Sequence, residues 1–305
     1  YFLPTDAYLE TCAAVGAGFF SQRMNQLTCN ARYMDEVERV LYNNVLTGVS
    51  LSGDKYTYQN PLNTDKPDRW EWHVCPCCPP MFLKIMAAMP GYIYAYQGDN
   101  VYVNLFIGSE VRIPVGDNSV RLKQLTSYPW HGAVSIQVNP DKASTFSMKV
   151  RIPGWAQGTE NPYDLYQSNL KAPVKLKVNQ EDVLLRIVDG YAEINREWKK
   201  GDHIELELPM QPRLITANKA VENLRGQVAL ASGPIIYCFE DADNPELQTF
   251  KLQAQTPLEL SHDSNLLNGV NIIKCQGDIP AKAIPYYAVA NREESHSYKV
   301  WIPQK

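Results

Sequence analysis

The densest chemical signal in the chain is Cys75-Pro76-Cys77-Cys78-Pro79-Pro80. Adjacent Cys77 and Cys78 bridge each other only through a strained ring outside ordinary disulfide spacing, so they read as thiols or thiolates. Prolines at 79 and 80 suit the first turn of a helix, where a missing N–H costs nothing. If Cys78 caps that helix, both thiols sit where unpaired backbone N–H groups and the helix dipole favour negative charge. That is the environment of a nucleophile or a metal ligand. The bland alternative is a pair of small buried thiols packed as apolar groups, and the clustering argues against it. Upstream, Glu10-Thr11-Cys12 sets a carboxylate and a thiol two residues apart. A helix would point them about 200° apart and an extended segment would place them on one side, so the helix is expected to begin at Thr11 or Cys12. With that geometry Glu10, Cys12, Cys77 and Cys78 could complete a tetrahedral set of three sulfurs and one oxygen, for which zinc is the favoured metal.

Holding these residues together falls to the first ninety or so positions. Residues 11–88 read as mainly helical: Ala13, Ala14, Gly16 and Ala17 are small packing residues, and Met34, Val37, Leu41 and Val45 recur at helical spacing. The helix opened by Pro79 and Pro80 is expected to reach Met89 and to stop at Pro90-Gly91. Beyond Tyr92 the period changes to two, over 92–96, 101–105, 146–152, 174–178 and 203–208. Turn signals at Gln97-Gly98-Asp99-Asn100 and Val188-Asp189-Gly190 separate some of these strands, and the short spacing predicts antiparallel β-sandwiches. A break at Leu208-Pro209-Met210-Gln211-Pro212 divides the region, and β structure resumes at 228–239. The expected layout is a helical segment at 1–91, a β-sandwich at 92–210 and a second at 211–305.

Composition narrows the partners. A chain of 305 residues exceeds the usual size of one core, so more than one domain is expected. Hydrophobic residues at 45% and charged residues at 20% suit a packed globular protein. A net charge of −4, with no Lys/Arg cluster, gives no footprint for nucleic acid or an anionic membrane. The longest apolar runs, such as 228–236, are far short of the ~20 residues that span a bilayer. Five of the seven cysteines lie in the first 78 residues, four of them Cys12, Cys75, Cys77 and Cys78, a distribution that favours metal or thiolate chemistry over a disulfide scaffold. The start, Tyr1-Phe2-Leu3-Pro4-Thr5, shows no initiator Met and no signal segment, so the chain is expected to be internal to a longer protein.

Several stretches together carry a resemblance: Leu3-Pro-Thr-Asp-Ala-Tyr-Leu-Glu-Thr-Cys-Ala-Ala14, Leu41-Tyr-Asn-Asn-Val-Leu-Thr-Gly48, Tyr56-Thr-Tyr-Gln-Asn-Pro-Leu62, Cys77-Cys-Pro-Pro80, Pro90-Gly-Tyr-Ile-Tyr94, Tyr128-Pro-Trp130 and Ile152-Pro-Gly-Trp155. In these the chain resembles the bacterial β-L-arabinofuranosidases of glycoside hydrolase family 127 and its relative family 146. The resemblance implies the closing part of an (α/α)6 barrel followed by antiparallel β-sandwich domains. It implies zinc on Glu10, Cys12, Cys77 and Cys78, Cys77 as nucleophile and Tyr58 as a substrate-binding residue. It further implies an arabinofuranosyl oligosaccharide or glycoconjugate as substrate, and a retaining double displacement in which a thiolate attacks the anomeric carbon. The family's acid/base glutamate and substrate-binding histidines lie upstream of the Glu10 segment, so residues 1–305 alone are expected to be inactive without the earlier barrel portion. Bacterial cytoplasm and periplasm are both compatible with this reading.

Other signals are set aside. His73 is left out of the ligand set as a structural histidine, and Cys75 reads as a buried neighbour of the nucleophile. Gly16-Ala17-Gly18 lacks the context of a dinucleotide site and reads as close helix packing. Trp130 and Trp155 read as core, and Cys29, Cys238 and Cys275 have no metal spacing. The rival function is a non-catalytic β-sandwich carbohydrate-binding protein whose helical end is stapled by a structural zinc. A thiol oxidoreductase would want a Cys-x-x-Cys pair, which Cys75-Pro76-Cys77 does not supply.

Overall fold

Where the sequence carries a helical period, the chain forms helices. The computed structural model describes residues 7–161, 164–277 and 279–305, so Leu3 to Asp6 of the first resembling stretch lie outside the described residues. Helix α1 (Thr11–Thr28) begins after Glu10, whose extended backbone (φ −74°, ψ 138°) makes it the N-cap. Helix α2 (Arg32–Val40) runs into a π-helical turn, Leu41–Val45. Helix α3 (Cys78–Ala88) starts on Cys77 as N-cap, one residue earlier than the prolines suggest, and has proline in its first turn. Pro90-Gly91 does not end the helical region, since a further turn spans Pro90–Ile93. Proline is compatible with the first position of a new turn, and this one follows at once.

The expectation of a mainly helical stretch through 88 fails between 47 and 77. Apart from the two-residue strand Asn63–Thr64, this part is irregular, joined by single bridges such as Glu10 with Gln59 and Tyr56 with Trp70. Pro61, Pro67 and Pro76 remove backbone donors, and no 3.6-residue apolar period runs between them. Side chains supply the missing order. The Thr11 hydroxyl donates to Thr57 O (2.7 Å) and accepts from Asn60 Nδ2 (2.8 Å), and Thr11 N–H donates to Tyr58 O (2.9 Å). Gly48 makes this approach possible, because a Cβ there would lie 2.8 Å from Thr11 Cγ2.

Beyond the helices the chain is β. One five-stranded sheet runs Ile187–Val188, Tyr191–Trp198, Ser144–Arg151, Asn100–Val103, Tyr94–Gln97. It faces a six-stranded sheet of Glu181–Asp182, Lys175–Val178, Asp202–Glu207, Ala133–Pro140, Asn118–Thr126 and Ser109–Val115. Inward residues of both, among them Val101, Met148, Trp198, Leu122, Ile136 and Ile204, share one core. Pairing is antiparallel except between Asn100–Val103 and Ser144–Arg151. Three strands of the opposite sheet intervene there, and the chain re-enters in its original direction.

The remaining strands form one curled ten-stranded sheet, which takes in Tyr166–Ser168 and Asn63–Thr64 as well as strands after Arg213. Val228 and Leu230 pack on one side of it, Ala229 and Ala231 on the other. Burial on both faces explains why 228–236 reads as a continuous apolar run rather than an alternating one.

The helical and β parts meet at buried charges. Arg151, with no exposed side-chain surface, donates through Nη1 to Asp35 Oδ1 (2.7 Å) and pairs with Glu38. Glu38 also accepts from Tyr128 OH (2.8 Å) and Trp155 Nε1 (3.3 Å), and Asp35 from Gly154 N (3.2 Å). Burial pushes the Asp35 carboxyl up to about 6, with Arg151 opposing. A native carboxyl titrating above its unfolded value holds a proton that the unfolded chain has released, so stability falls as pH rises through the window from about 4 to about 6. Asp35→Asn should flatten that segment of the stability curve, removing a slope worth about 3 kcal/mol in total. Denaturant melts at pH 4.5, 5.5 and 7 check this, and an unchanged slope in the variant would exclude Asp35 as its source.

Candidate metal centre and adjoining aromatic wall

Two helix N-termini and one extended segment converge on the residues singled out at the start. Glu10 precedes α1 and Cys12 lies in its first turn, while Cys77 and Cys78 form the start of α3. Close packing of the helices is possible because Gly18 faces Ile85, at 3.1 Å from where a Cβ would stand. One ligand-type atom from each of Glu10, Cys12, Cys77 and Cys78 lies within 4.8 Å of all the others. Cys12 Sγ is 3.6 Å from Cys78 Sγ, Cys77 Sγ is 3.4 Å from Glu10 Oε1, and Cys77 and Cys78 sulfurs are 3.9 Å apart.

These spacings match a donor set for a small tetrahedral cation. Sulfurs at about 2.3 Å from a common centre in tetrahedral array are about 3.8 Å apart, and a sulfur–oxygen edge is slightly shorter. Protonation behaviour agrees with the crowding. Burial pushes the Cys12 thiol well above the usual thiol range, and hydrogen bonds with Cys77 and Cys78 add to it. Burial lifts Cys78 to about 11 although it accepts a hydrogen bond from Cys12. Thiols packed this closely resist ionising together unless a cation neutralises them, and the two helix N-termini supply only part of that field. A divalent, thiophilic metal fits the donors.

Tyr58 stands beside this cluster because the segment carrying it runs antiparallel to residues 9–11, with Asn60 N donating to Leu9 O (2.8 Å). Its ring meets Tyr8 edge-on at 6.0 Å and His73 at 4.9 Å, and His73 stacks on Trp70 at 4.2 Å with 9° between the planes. A hydrogen bond with Tyr8, then burial, then Cys75, hold the Tyr58 hydroxyl above the ordinary phenol range. Tyr8 OH in turn donates to Glu10 Oε2 (3.4 Å). His73 Nδ1 accepts from Cys75 N (3.1 Å), and Cys75 Sγ is 3.8 Å from Cys77 Sγ. Cys75 is exposed and stands outside the four-residue group.

His73 thus has a place that sequence reasoning did not give it. Its partner is Trp70 rather than the exposed Trp72 (74% accessible). Trp70 carried no signal, since an aromatic residue in an aperiodic stretch between prolines looks like any loop residue. Trp155 is buried with its indole on Glu38, Trp130 packs against the cores of the last sheet, and Cys238 and Cys275 are buried free thiols.

The same three-part layout recurs in known proteins. The β-L-arabinofuranosidase catalytic-domain model of glycoside hydrolase family 127 matches residues 1–91, that family's middle-domain model 100–210 and its C-terminal-domain model 212–303. A non-reducing end β-L-arabinofuranosidase of Bifidobacterium longum subsp. longum is 31% identical over 96% of this chain and 49% of its own length. A solved β-arabinofuranosidase of family 127 superposes with a TM-score of 0.93 at 35% identity, over 100% of this chain and 50% of that one. A β-L-arabinofuranosidase of the same family from Geobacillus stearothermophilus T6 gives 0.90 at 35% identity, over 99% and 51%. The chain spans about half the length of these relatives. Three models of one family laid in order along nearly all its residues, and relatives above 30% identity that match it almost from end to end, mean that the chain belongs to glycoside hydrolase family 127.

Proposed function

We propose that this chain carries the nucleophile and metal ligands of a retaining glycosidase that releases β-L-arabinofuranose from the non-reducing end of an oligosaccharide or glycoconjugate. The observation that carries the reading is the Glu10, Cys12, Cys77, Cys78 cluster, in which Cys77 is the thiol that borders the aromatic wall. Cys78 is 1% exposed, whereas Cys12 and Cys77 are both partly buried, and of these two Cys77 lies between Glu10 and Cys75, next to the Tyr58 wall. The metal best suited to three sulfurs and a carboxylate is zinc, which when bound would keep those thiols deprotonated at neutral pH while leaving the set net negative.

Cys77 then attacks the anomeric carbon: a C–S bond forms as the glycosidic C–O bond breaks, and the departing oxygen takes a proton from a general acid. Water next displaces the thiolate and gives its proton to the same acid's conjugate base, so the configuration at the anomeric carbon is retained. Tyr58 orients the sugar. Glu10 is committed to the ligand set, so the proton comes from another carboxyl, in our reading a glutamate upstream of this chain.

The exposed apolar residues support a further part of the proposal. Phe20 (63% accessible) and Leu27 (79%) on α1, and Leu83 (66%) on α3, point away from the helical core. We assign this surface to contact with preceding helices of an (α/α)6 barrel, with residues 1–91 as its closing portion, 92–210 and 211–305 as β domains and the relatives' double length as the source of the missing helices.

Metal removal tests the reading. Full-length protein should contain about one zinc per chain and turn over an activated aryl β-L-arabinofuranoside. Chelation or Cys12→Ser should lose both metal and turnover. Zinc-loaded protein with no turnover on any arabinofuranoside, its thiols all equally inert to alkylation, would favour the carbohydrate-binding alternative with a structural zinc.

A further inference from the structure

We propose that Arg69 is a positioning residue by which the C-terminal β unit holds the Trp70, His73 and Tyr58 wall in place beside the thiol cluster; its consequence for catalysis rests on the reading of that wall as part of the sugar site. Arg69 precedes Trp70 and reaches away from the wall. Its Nη1 donates to Thr47 O (2.8 Å), its Nε and Nη2 to Val289 O (3.1 and 2.8 Å), and Nη2 also to Tyr287 O (3.4 Å). None of these partners is charged. A guanidinium spent wholly on carbonyls from two separate segments serves geometry more than charge neutralisation, because its planar fork fixes the relative position of every acceptor it touches.

The acceptors are themselves fixed. Asn291 Nδ2 donates to Ala288 O (2.9 Å) and Val289 O (3.2 Å), and its Oδ1 accepts from Leu51 N (2.9 Å). Ala290 adopts a left-handed backbone (φ 56°) that points its N–H at Glu240 Oε1 (2.7 Å), on the strand Ile235–Glu240 of the last sheet. Strain at a non-glycine residue of this kind persists only where the surroundings determine it. On the other side, Trp70 exchanges both backbone hydrogen bonds with Tyr56 (2.8 and 2.9 Å). The connection therefore runs from the last sheet through the loop 288–291 and Arg69 to Trp70, then by stacking to His73, and from His73 Nδ1 to the backbone of Cys75, two residues before Cys77. A shift of Arg69 changes where the wall stands without touching any of the four ligand side chains.

The stack gives a readout that needs no activity. The chain has five histidines, and only His73 among the described residues lies flat on an indole, so ring current moves its imidazole C–H resonances upfield. In this chain labelled at histidine, Arg69→Met should move the His73 resonances toward unstacked positions and leave the other four in place, while Arg69→Lys should move them less. His73→Gln assigns the signal. If Arg69→Met yields no folded protein, Asn291→Ala, which frees the Val289 carbonyl from a partly exposed side chain, should shift the same resonances in the same direction. In the full-length enzyme, Arg69→Met should raise KM for an aryl arabinofuranoside about tenfold, with kcat within about threefold of wild type and metal content unchanged. His73 resonances unmoved in the folded variants would overturn the proposal. So would a loss of kcat and metal together at constant KM. Wild-type enzyme without turnover would instead remove the glycosidase reading, and the resonance shift would still decide the role of Arg69.

Discussion

Replacing Cys77 by alanine in the full-length protein should reduce turnover of an activated aryl β-L-arabinofuranoside by at least about 10⁴-fold while the protein stays folded. The expected size follows from the role. A nucleophile whose bond to the anomeric carbon replaces the broken one has no substitute, and water arriving at that position lacks both the polarisable sulfur and the fixed approach. Cys77→Ala also removes one ligand, so the measurement needs a companion that separates metal loss from loss of the nucleophile. A furanose-configured electrophile supplies it: in wild-type protein the label should sit on Cys77, as read by peptide mass spectrometry. Label on Cys78 or on a carboxylate, or substantial turnover in the alanine variant, would reassign the nucleophile.

Arg151→Met should cost about 3 to 5 kcal/mol of stability, the largest effect expected of any single change outside the cluster. Arg151 has no exposed side-chain surface and Glu38 has 2%. Methionine fills much of the volume but leaves the buried Glu38 and the partly buried Asp35 without the guanidinium that both contact. Tyr128 and Trp155 still donate to Glu38, yet neutral donors offset only part of the desolvation of a carboxylate. Against a total margin of roughly 5 to 15 kcal/mol, a loss of that size brings the fold close to its unfolding threshold. Denaturant titration measures it. The double variant Glu38→Leu/Arg151→Met should regain most of the loss, since a complete buried pair can often be exchanged for apolar groups at little cost. A single-variant loss under about 1 kcal/mol would mean that the pair is dispensable for docking α2 on the sandwich.

Much of the site was legible in the chain because its carriers obey local rules. Glu10 has to be extended if it and Cys12 are to face one way, and the helix does begin at Thr11. Proline after Cys78 announces a helix start, within one residue of the observed one. The alternation in 203–208 is that of a strand with one wet face, and 146–152, which alternates in polarity although its outward Ser147 and Arg151 are covered as well, is also a strand of the sandwich. What was not legible depends on contacts between distant segments. Nothing near Trp70 indicates that its ring meets His73, and nothing near Arg69 indicates that carbonyls more than two hundred residues away will satisfy it. The irregular course of 47–77 is likewise held by Thr11 and Tyr286, which bond Thr57 and Asn60 within it and which no periodicity reveals.

The strand Tyr166–Ser168 lies within the range matched by the family's middle domain, yet it hydrogen-bonds to Arg213–Ala217 as the edge of the last sheet. Asn63–Thr64, within the catalytic match, pairs with Tyr298–Lys299 in the same way. Each of the first two stretches has therefore lent the third a border. Cutting the chain at the seams suggested by sequence families would leave the final sheet with raw, unpaired edges open to other chains, so these three segments are poor candidates for exchange as separate modules between relatives.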